Sequence, residues 1–192
     1  MIDLLLKTIE KAVVIDKNEK ELIAGLFHEK KYGKGEYFLK EGDVCKYVGF
    51  MISGVMRYYI NDDGEDKTYG FAKESEFICN NESFLPQLPS RQSIQALEDC
   101  NLLVIGYNDL QRFYISFKNG ERFGRLVIEQ VFIKTLRGFN SFYTDSPEIR
   151  YEKFVKEYPD LLQRIPQYYI ASYVGVKPQS LSRIRSRNLR RE

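Results

Sequence analysis

The sequence predicts an α+β chain in which short strands come first and helices dominate the last third. Three observations lead to this. Between about Lys31 and Gly106, runs rich in Tyr, Phe, Val and Ile alternate with glycine turns, the texture of a sandwich, barrel or roll. From Glu121 to Phe142 the apolar residues recur at helical spacing with no turn signal between them. From Ile165 to Arg187 two short helical patterns flank Gly175, and the second opens on Pro178.

The elements follow in chain order. Met1–Phe27 mixes apolar clusters with Lys and Glu at helical spacing and reads as one or two amphipathic helices. Strands are expected at Tyr37–Leu39, Tyr47–Ile52, Val55–Ile60, Lys67–Phe71, Arg91–Glu98 and Asn101–Gly106. Turns fall at Gly33, Gly35, Glu41-Gly42-Asp43, Ser53-Gly54 and Asn61-Asp62-Asp63-Gly64. Asn108 is placed to cap a helix over Asp109–Phe117, and Asn119-Gly120 interrupts it.

Glu121–Phe142 would then span ~33 Å at 1.5 Å per residue. Its apolar residues, among them Phe123, Leu126, Val131, Phe132, Leu136 and Phe139, cover more than one stripe. One face can pack on the β part, and the other calls for a partner, for which a second copy of the chain is the natural choice. Ser146-Pro147-Glu148 is a helix start, with a hydroxyl cap, proline at the first position and an acid in the first turn. That helix stops near Pro159, and a turn over Asp160–Ile165 leads into the last motif.

In that motif Tyr169, Ile170, Tyr173 and Val174 share a helical pattern, and Gly175 suits a bend with positive φ. Leu181 and Ile184 can face the first helix. Gln179, Ser180, Ser182, Arg183, Arg185 and Arg187 are left to point outward. Such a helix-turn-helix carries the amide, hydroxyl and guanidinium groups that read base edges and hold phosphates.

Composition agrees. The chain has 192 residues and a formal net charge of +2. Residues 161–192 hold Arg164, Lys177, Arg183, Arg185, Arg187, Arg190 and Arg191 against the single acid Glu192, a local +6 that leaves −4 on residues 1–160. A basic end on an acidic body is the electrostatic footprint of a nucleic-acid reader. Cys45, Cys79 and Cys100 are widely spaced and His28 is the only histidine, which argues against a zinc site or a four-cysteine iron–sulfur cluster. Free thiols and the lack of a signal or spanning segment predict a soluble cytoplasmic protein. With no GxSxG, no P-loop and no metal cluster, little is available for catalysis, so the chain is not expected to be an enzyme.

Taken together, these residues resemble the Crp/Fnr family of bacterial transcription regulators over essentially the whole chain. The β part carries Lys34-Gly35-Glu36, Glu41-Gly42-Asp43, Ser53-Gly54 and Asp63-Gly64-Glu65 at the family's intervals. Ile170-Ala171-Ser172-Tyr173-Val174-Gly175-Val176 followed by Ser180-Leu181-Ser182-Arg183-Ile184 is similar to its helix-turn-helix signature. Arg150-Tyr151 through Tyr158-Pro159 resembles the short forms found in Bacteroidetes-type bacteria. The resemblance implies a jelly-roll-like, cyclic-nucleotide-binding-type β-roll sensor over residues 1–118 and a long dimerisation helix over 119–145. A winged-helix or helix-turn-helix DNA-binding domain would follow over 146–192. It also implies a homodimer through helix 121–142, palindromic double-stranded DNA and RNA polymerase as partners, and no membrane. Gln179, Ser180 and Arg183 fall where members contact bases. Lys177, Arg185 and Arg187 are better read as phosphate contacts, with Ser182 beside them.

The ligand cassette departs from the family. Members that bind cyclic AMP hold the ribose with a Gly-Glu pair and clamp the cyclic phosphate with an Arg-Ser/Thr pair. Here Asn81 precedes Glu82, Ser90 falls at the phosphate-binding arginine, and Arg91 comes one position later, where strand alternation can turn it away. The pair that would meet the adenine falls at Arg137-Gly138. Cyclic AMP is thus disfavoured, and the choice stays open between no ligand and another small effector held by Glu82, Ser83, Arg91 and Ser93. The alternative for the whole chain is a ligand-binding or interaction module whose helix-turn-helix no longer binds DNA.

Overall fold

The computed structural model describes residues 1–188, and the chain divides into two compact units. The first comprises Met1–Tyr58 and Phe71–Val131, and the second comprises Tyr59–Gly70 and the chain from Phe132 onward. The basic residues Arg190 and Arg191 lie outside the described residues.

The first unit opens on α1 (Ile2–Glu10) and α2 (Lys17–Leu26). Asp16 starts α2 with a capping box, its carboxylate accepting from Glu19 N–H while the Glu19 carboxylate accepts from Asp16 N–H, each at 2.9 Å. Among the described residues eight strands follow in the chain, β1 (His28–Tyr32), β2 (Tyr37–Leu39), β3 (Tyr47–Ser53), β4 (Met56–Asp62), β5 (Glu65–Ala72), β6 (Phe77–Ile78), β7 (Ser93–Ala96) and β8 (Cys100–Gly106), the stretch of β4 and β5 from Tyr59 to Gly70 falling in the second unit. A short helix α3 (Asn81–Phe84) lies between β6 and β7. The strands form two four-stranded sheets, ordered β1-β8-β3-β6 and β2-β7-β4-β5.

Strand alternation explains why β3 and β8 read as continuous apolar runs. Leu103, Ile105 and Phe50 turn to a core shared with Leu5, Ile9, Ile23, Phe113, Phe117 and Phe123 of the helices. Leu102, Val104 and Met51 turn the other way, to a core shared with Met56, Ala72, Ile94 and Ala96 of the second sheet. Gly54, after β3, holds φ at +98°, and a Cβ there would sit 2.5 Å from Cys100 Sγ and 2.8 Å from Asp99 O.

Several boundaries differ from the sequence reading. β1 was not anticipated: its His-Glu-Lys-Lys-Tyr is polar because it is the edge strand of its sheet, and its register against β8 supplies what the side chains do not signal. The two-residue β6 and the four-residue α3 are too short to show a period. The helix expected at Asp109–Phe117 is α4, Tyr107–Ser116, and Asn108 does not cap it. Gly106, the last residue of β8, is its N-cap, and as a glycine it has no side chain with which to cap.

The long helix α5 spans Gly120–Thr144. Its first residue has to be glycine, because a Cβ on Gly120 would fall 2.5 Å from Phe113 O.

In the second unit, Asp63 and Gly64 both have positive φ, +50° and +84°, as the two-residue turn of the β4–β5 hairpin requires. The other described elements of this unit are the end of α5, α6 (Pro147–Glu157), α7 (Leu161–Arg164), α8 (Gln167–Val174) and α9 (Pro178–Asn188). Ser146 caps α6 through a bond from Ile149 N–H at 3.3 Å, as its sequence predicts. Tyr151, Phe154, Tyr158, Leu161, Ile165, Ile170, Val174, Leu181 and Ile184 form the buried interior. Among those residues, no helix is long and apolar enough to cross a membrane.

Candidate nucleic-acid interface

The turn between α8 and α9 is built by the backbone. Gly175 adopts φ +77°, its N–H donates to Ser172 O at 3.0 Å, and Val176 N–H donates to Ala171 O at 2.9 Å. These two bonds make a Schellman cap that ends α8 and satisfies two of its last carbonyls. Pro178 then opens α9, with Ser180 and Leu181 N–H both directed to Lys177 O.

Leu181 and Ile184 pack inward, alongside Ile170, Ala171 and Val174, which have no exposed surface. That packing turns the opposite face of α9 to solvent. Lys177, Gln179, Ser180, Ser182, Arg183 and Arg187 are exposed and Arg185 is half-buried. Ser182, Arg183, Ser186 and Arg187 line a shallow groove along this face. Ser186 was missed in the sequence, although it lies four residues after Ser182 and seven after Gln179 on the same helical face. Arg187 is partly occupied, its Nη1 lying 3.5 Å from Glu148 Oε1.

The candidate effector residues do not converge in the same way. Glu82 and Arg91 are exposed, whereas Ser83 and Ser93 are buried. Both buried hydroxyls are engaged internally: Ser83 Oγ accepts from Cys45 N–H at 2.9 Å, and Ser93 Oγ accepts from Glu41 N–H at 3.0 Å. Asn80, only 4% exposed, is the centre of this network. Its amide donates to Ser90 Oγ at 2.9 Å and to Gln92 Oε1 at 2.8 Å, and its carbonyl oxygen accepts from Ser83 N–H at 3.0 Å. Ser90 Oγ also accepts from Gln92 N–H and donates to Gln92 O, both at 2.9 Å.

Nearby, the Cys45 thiol is brought down to about 7, chiefly by a hydrogen bond from Cys79. The same contact and burial hold Cys79 well above the ordinary thiol value.

Residues 29–117 match the cyclic nucleotide-binding domain family. Among solved structures, the chain is similar to FixK2 of Bradyrhizobium japonicum, with a TM-score of 0.71 and 16% identity over 84% of this chain and 83% of that one. It is also similar to CLP of Xanthomonas campestris, a c-di-GMP responsive global regulator, with a TM-score of 0.71 and 17% identity over 91% and 92%. A protein of Eubacterium rectale assigned to the crp/fnr family of transcriptional regulators aligns with a TM-score of 0.69 and 15% identity over 88% and 82%. No curated protein matches by sequence. Residues 29–117 are thus a cyclic nucleotide-binding-type domain, and the order of that domain, a long helix and a C-terminal helix-turn-helix is the fold these solved structures share.

The domain family implies a cyclic nucleotide, and the residues present do not fit one. A cyclic phosphate needs a cation and unengaged donors. Ser90 stands where the resemblance puts the arginine, and its hydroxyl is used by Asn80 and Gln92.

Proposed function

We propose that the protein is a DNA-binding transcriptional regulator of the Crp/Fnr type, acting in the cytoplasm as a homodimer on palindromic double-stranded DNA and working with RNA polymerase. The observation that carries this reading is the division of α9 into a buried apolar side, Leu181 and Ile184, and an exposed side bearing Lys177, Gln179, Ser180, Ser182 and Arg183. Gln179, Ser180 and Arg183 sit at the start of the helix, the end that enters a major groove, and Arg183 can fork two N–H groups onto a guanine edge. Lys177, Arg185 and Arg187 supply phosphate contacts.

The dimer follows from α5. Phe132, Phe139 and Phe142 are each about 60% exposed, and Ile128, Val131, Ile133, Leu136 and Tyr143 are also exposed on one chain. A helix this apolar is covered by pairing with its copy, which presents two heads to DNA.

The test is selection from random duplexes by the purified protein, with and without cyclic nucleotides, at two salt concentrations. Enrichment of a palindrome with half-sites about one helical turn apart is expected, with no change on adding cyclic AMP. Salt-insensitive or absent binding by the folded protein would replace this reading with a DNA-inactive interaction module.

A further inference from the structure

The side chain that ties the ends of α5 and α8 together within the second unit is Arg150, in the first turn of α6. Its Nη1 donates to Asp145 O at 2.7 Å and to Phe142 O at 3.4 Å, both at the C-terminal end of α5. Its Nε donates to Val174 O at 2.7 Å, at the C-terminal end of α8. The guanidinium carbon lies 5.4 Å from the centre of the Phe142 ring. A Cβ on Gly175 would lie 3.4 Å from Arg150 Nη2 and 3.5 Å from Phe142, so the glycine turn is closed against the same pair.

The last carbonyls of a helix have no partner within it, and they carry the negative end of its dipole. The Schellman bonds at Gly175 use Ala171 O and Ser172 O, and Val174 O is left for Arg150. One rigid, permanently charged fork therefore caps α5 and α8 together. A second brace holds the same junction: the Asp145 carboxylate accepts from Ser141 Oγ and pairs with Lys153 Nζ, which keeps its carboxyl below the usual range.

We infer that Arg150 is the positioning residue that fixes the recognition helix relative to the end of α5, and so sets the spacing of half-sites the dimer accepts. This rests on the dimeric DNA-binding reading above. In a twofold assembly, the distance between the two α9 helices depends on how rigidly each head is joined to the pairing helix. Arg150 touches that joint at both ends, and none of its bonds reaches the exposed face of α9. Its loss therefore loosens spacing and leaves base recognition intact. A lysine carries the charge but lacks the planar fork that spans both helix ends, so it does not restore the joint.

The experiment uses the full chain and its Arg150→Gln and Arg150→Lys variants. Each is measured on duplexes carrying one half-site, and on paired half-sites whose separation is stepped a base pair at a time. Wild type is expected to prefer one separation by about tenfold or more over its neighbours, since shifting one head off register forfeits its charged contacts. Both variants are expected to lose most of that preference while binding a single half-site within about twofold of wild type. Folded variants that keep the wild-type separation preference overturn the inference. So do variants that lose single half-site binding in step with spacing, because Arg150 then merely holds the unit folded. If wild type itself shows no preference for paired half-sites, the dimeric reading fails instead, and this outcome is read from wild type alone.

Discussion

The Ser172 hydroxyl accepts a hydrogen bond from Thr68 N–H at 2.9 Å and donates one to Asp66 O at 2.9 Å. Within the second unit, the first helix of the helix-turn-helix thus holds the β4–β5 hairpin through two backbone groups more than a hundred positions away in the chain. Thr68 is 4% exposed, so its N–H has little access to water. Replacing Ser172 with Ala is expected to cost about 1 kcal/mol net, and more if the amide finds no other acceptor. Amide hydrogen exchange checks it: Thr68 should exchange faster in the variant while the β3 and β8 amides stay protected.

Gly54 and Gly64 separate backbone strain from steric clash. Both have positive φ, +98° and +84°, but a Cβ on Gly64 meets nothing within 4 Å, whereas one on Gly54 falls inside contact distance of Asp99 and Cys100 backbone atoms. Gly64→Ala is expected to cost about 1 kcal/mol, the left-handed penalty alone. Gly54→Ala is expected to cost about 3 kcal/mol or more, because backbone cannot step aside cheaply. Chemical unfolding of the two variants side by side measures the difference.

Asn80 holds Ser83 N–H, Ser90 Oγ and Gln92 Oε1 in a buried network. Asn80→Ala leaves these groups without that partner, at an expected cost of about 3 kcal/mol. Thermal melting of the variant should show it. An increase in stability on that substitution would contradict the network's role.

On the proposed DNA-binding role of α9, phosphate and base contacts predict different salt behaviour. Lys177→Ala should weaken binding on all duplexes and reduce the slope of log affinity against log salt by about 1. Arg183→Ala should cost about 1–3 kcal/mol and relax the preference at one base position. Arg187→Ala should have less effect than Lys177→Ala, because Arg187 already faces Glu148 at 3.5 Å. Fluorescence titrations over a salt series distinguish the three.

The parts of the fold that were legible in the sequence are those whose signals are local. The Ser146-Pro147 cap, the Gly175 bend and the Pro178 start each depend on a few adjacent residues, and they predict α6, α8 and α9 to within about a turn. The exposed face of α9 was equally legible, since Leu181 and Ile184 at helical spacing leave the other residues outside. β1 was not legible, because an edge strand has little apolar alternation and is held by its register with β8. Asn108 misled for a related reason: a good capping residue caps nothing when the strand before it delivers the chain into the helix two residues early.

The sequence by itself determined the order of elements, the basic C-terminal end and the side chains α9 shows to solvent, because periodicity and charge are properties of neighbours along the chain. Tertiary structure alone decided what the polar residues of the roll do and where Arg150 reaches. Ser83 and Ser93 read in one dimension as candidate effector residues, yet in the folded chain their hydroxyls accept from the backbone N–H groups of Cys45 and Glu41. Arg150 looks like one more surface cation, and it is a shared cap on two helices whose ends lie 24 positions apart from it or only five. Hydrogen bonds are directional and saturable, so what a polar group is available for depends on partners that only folding brings within reach.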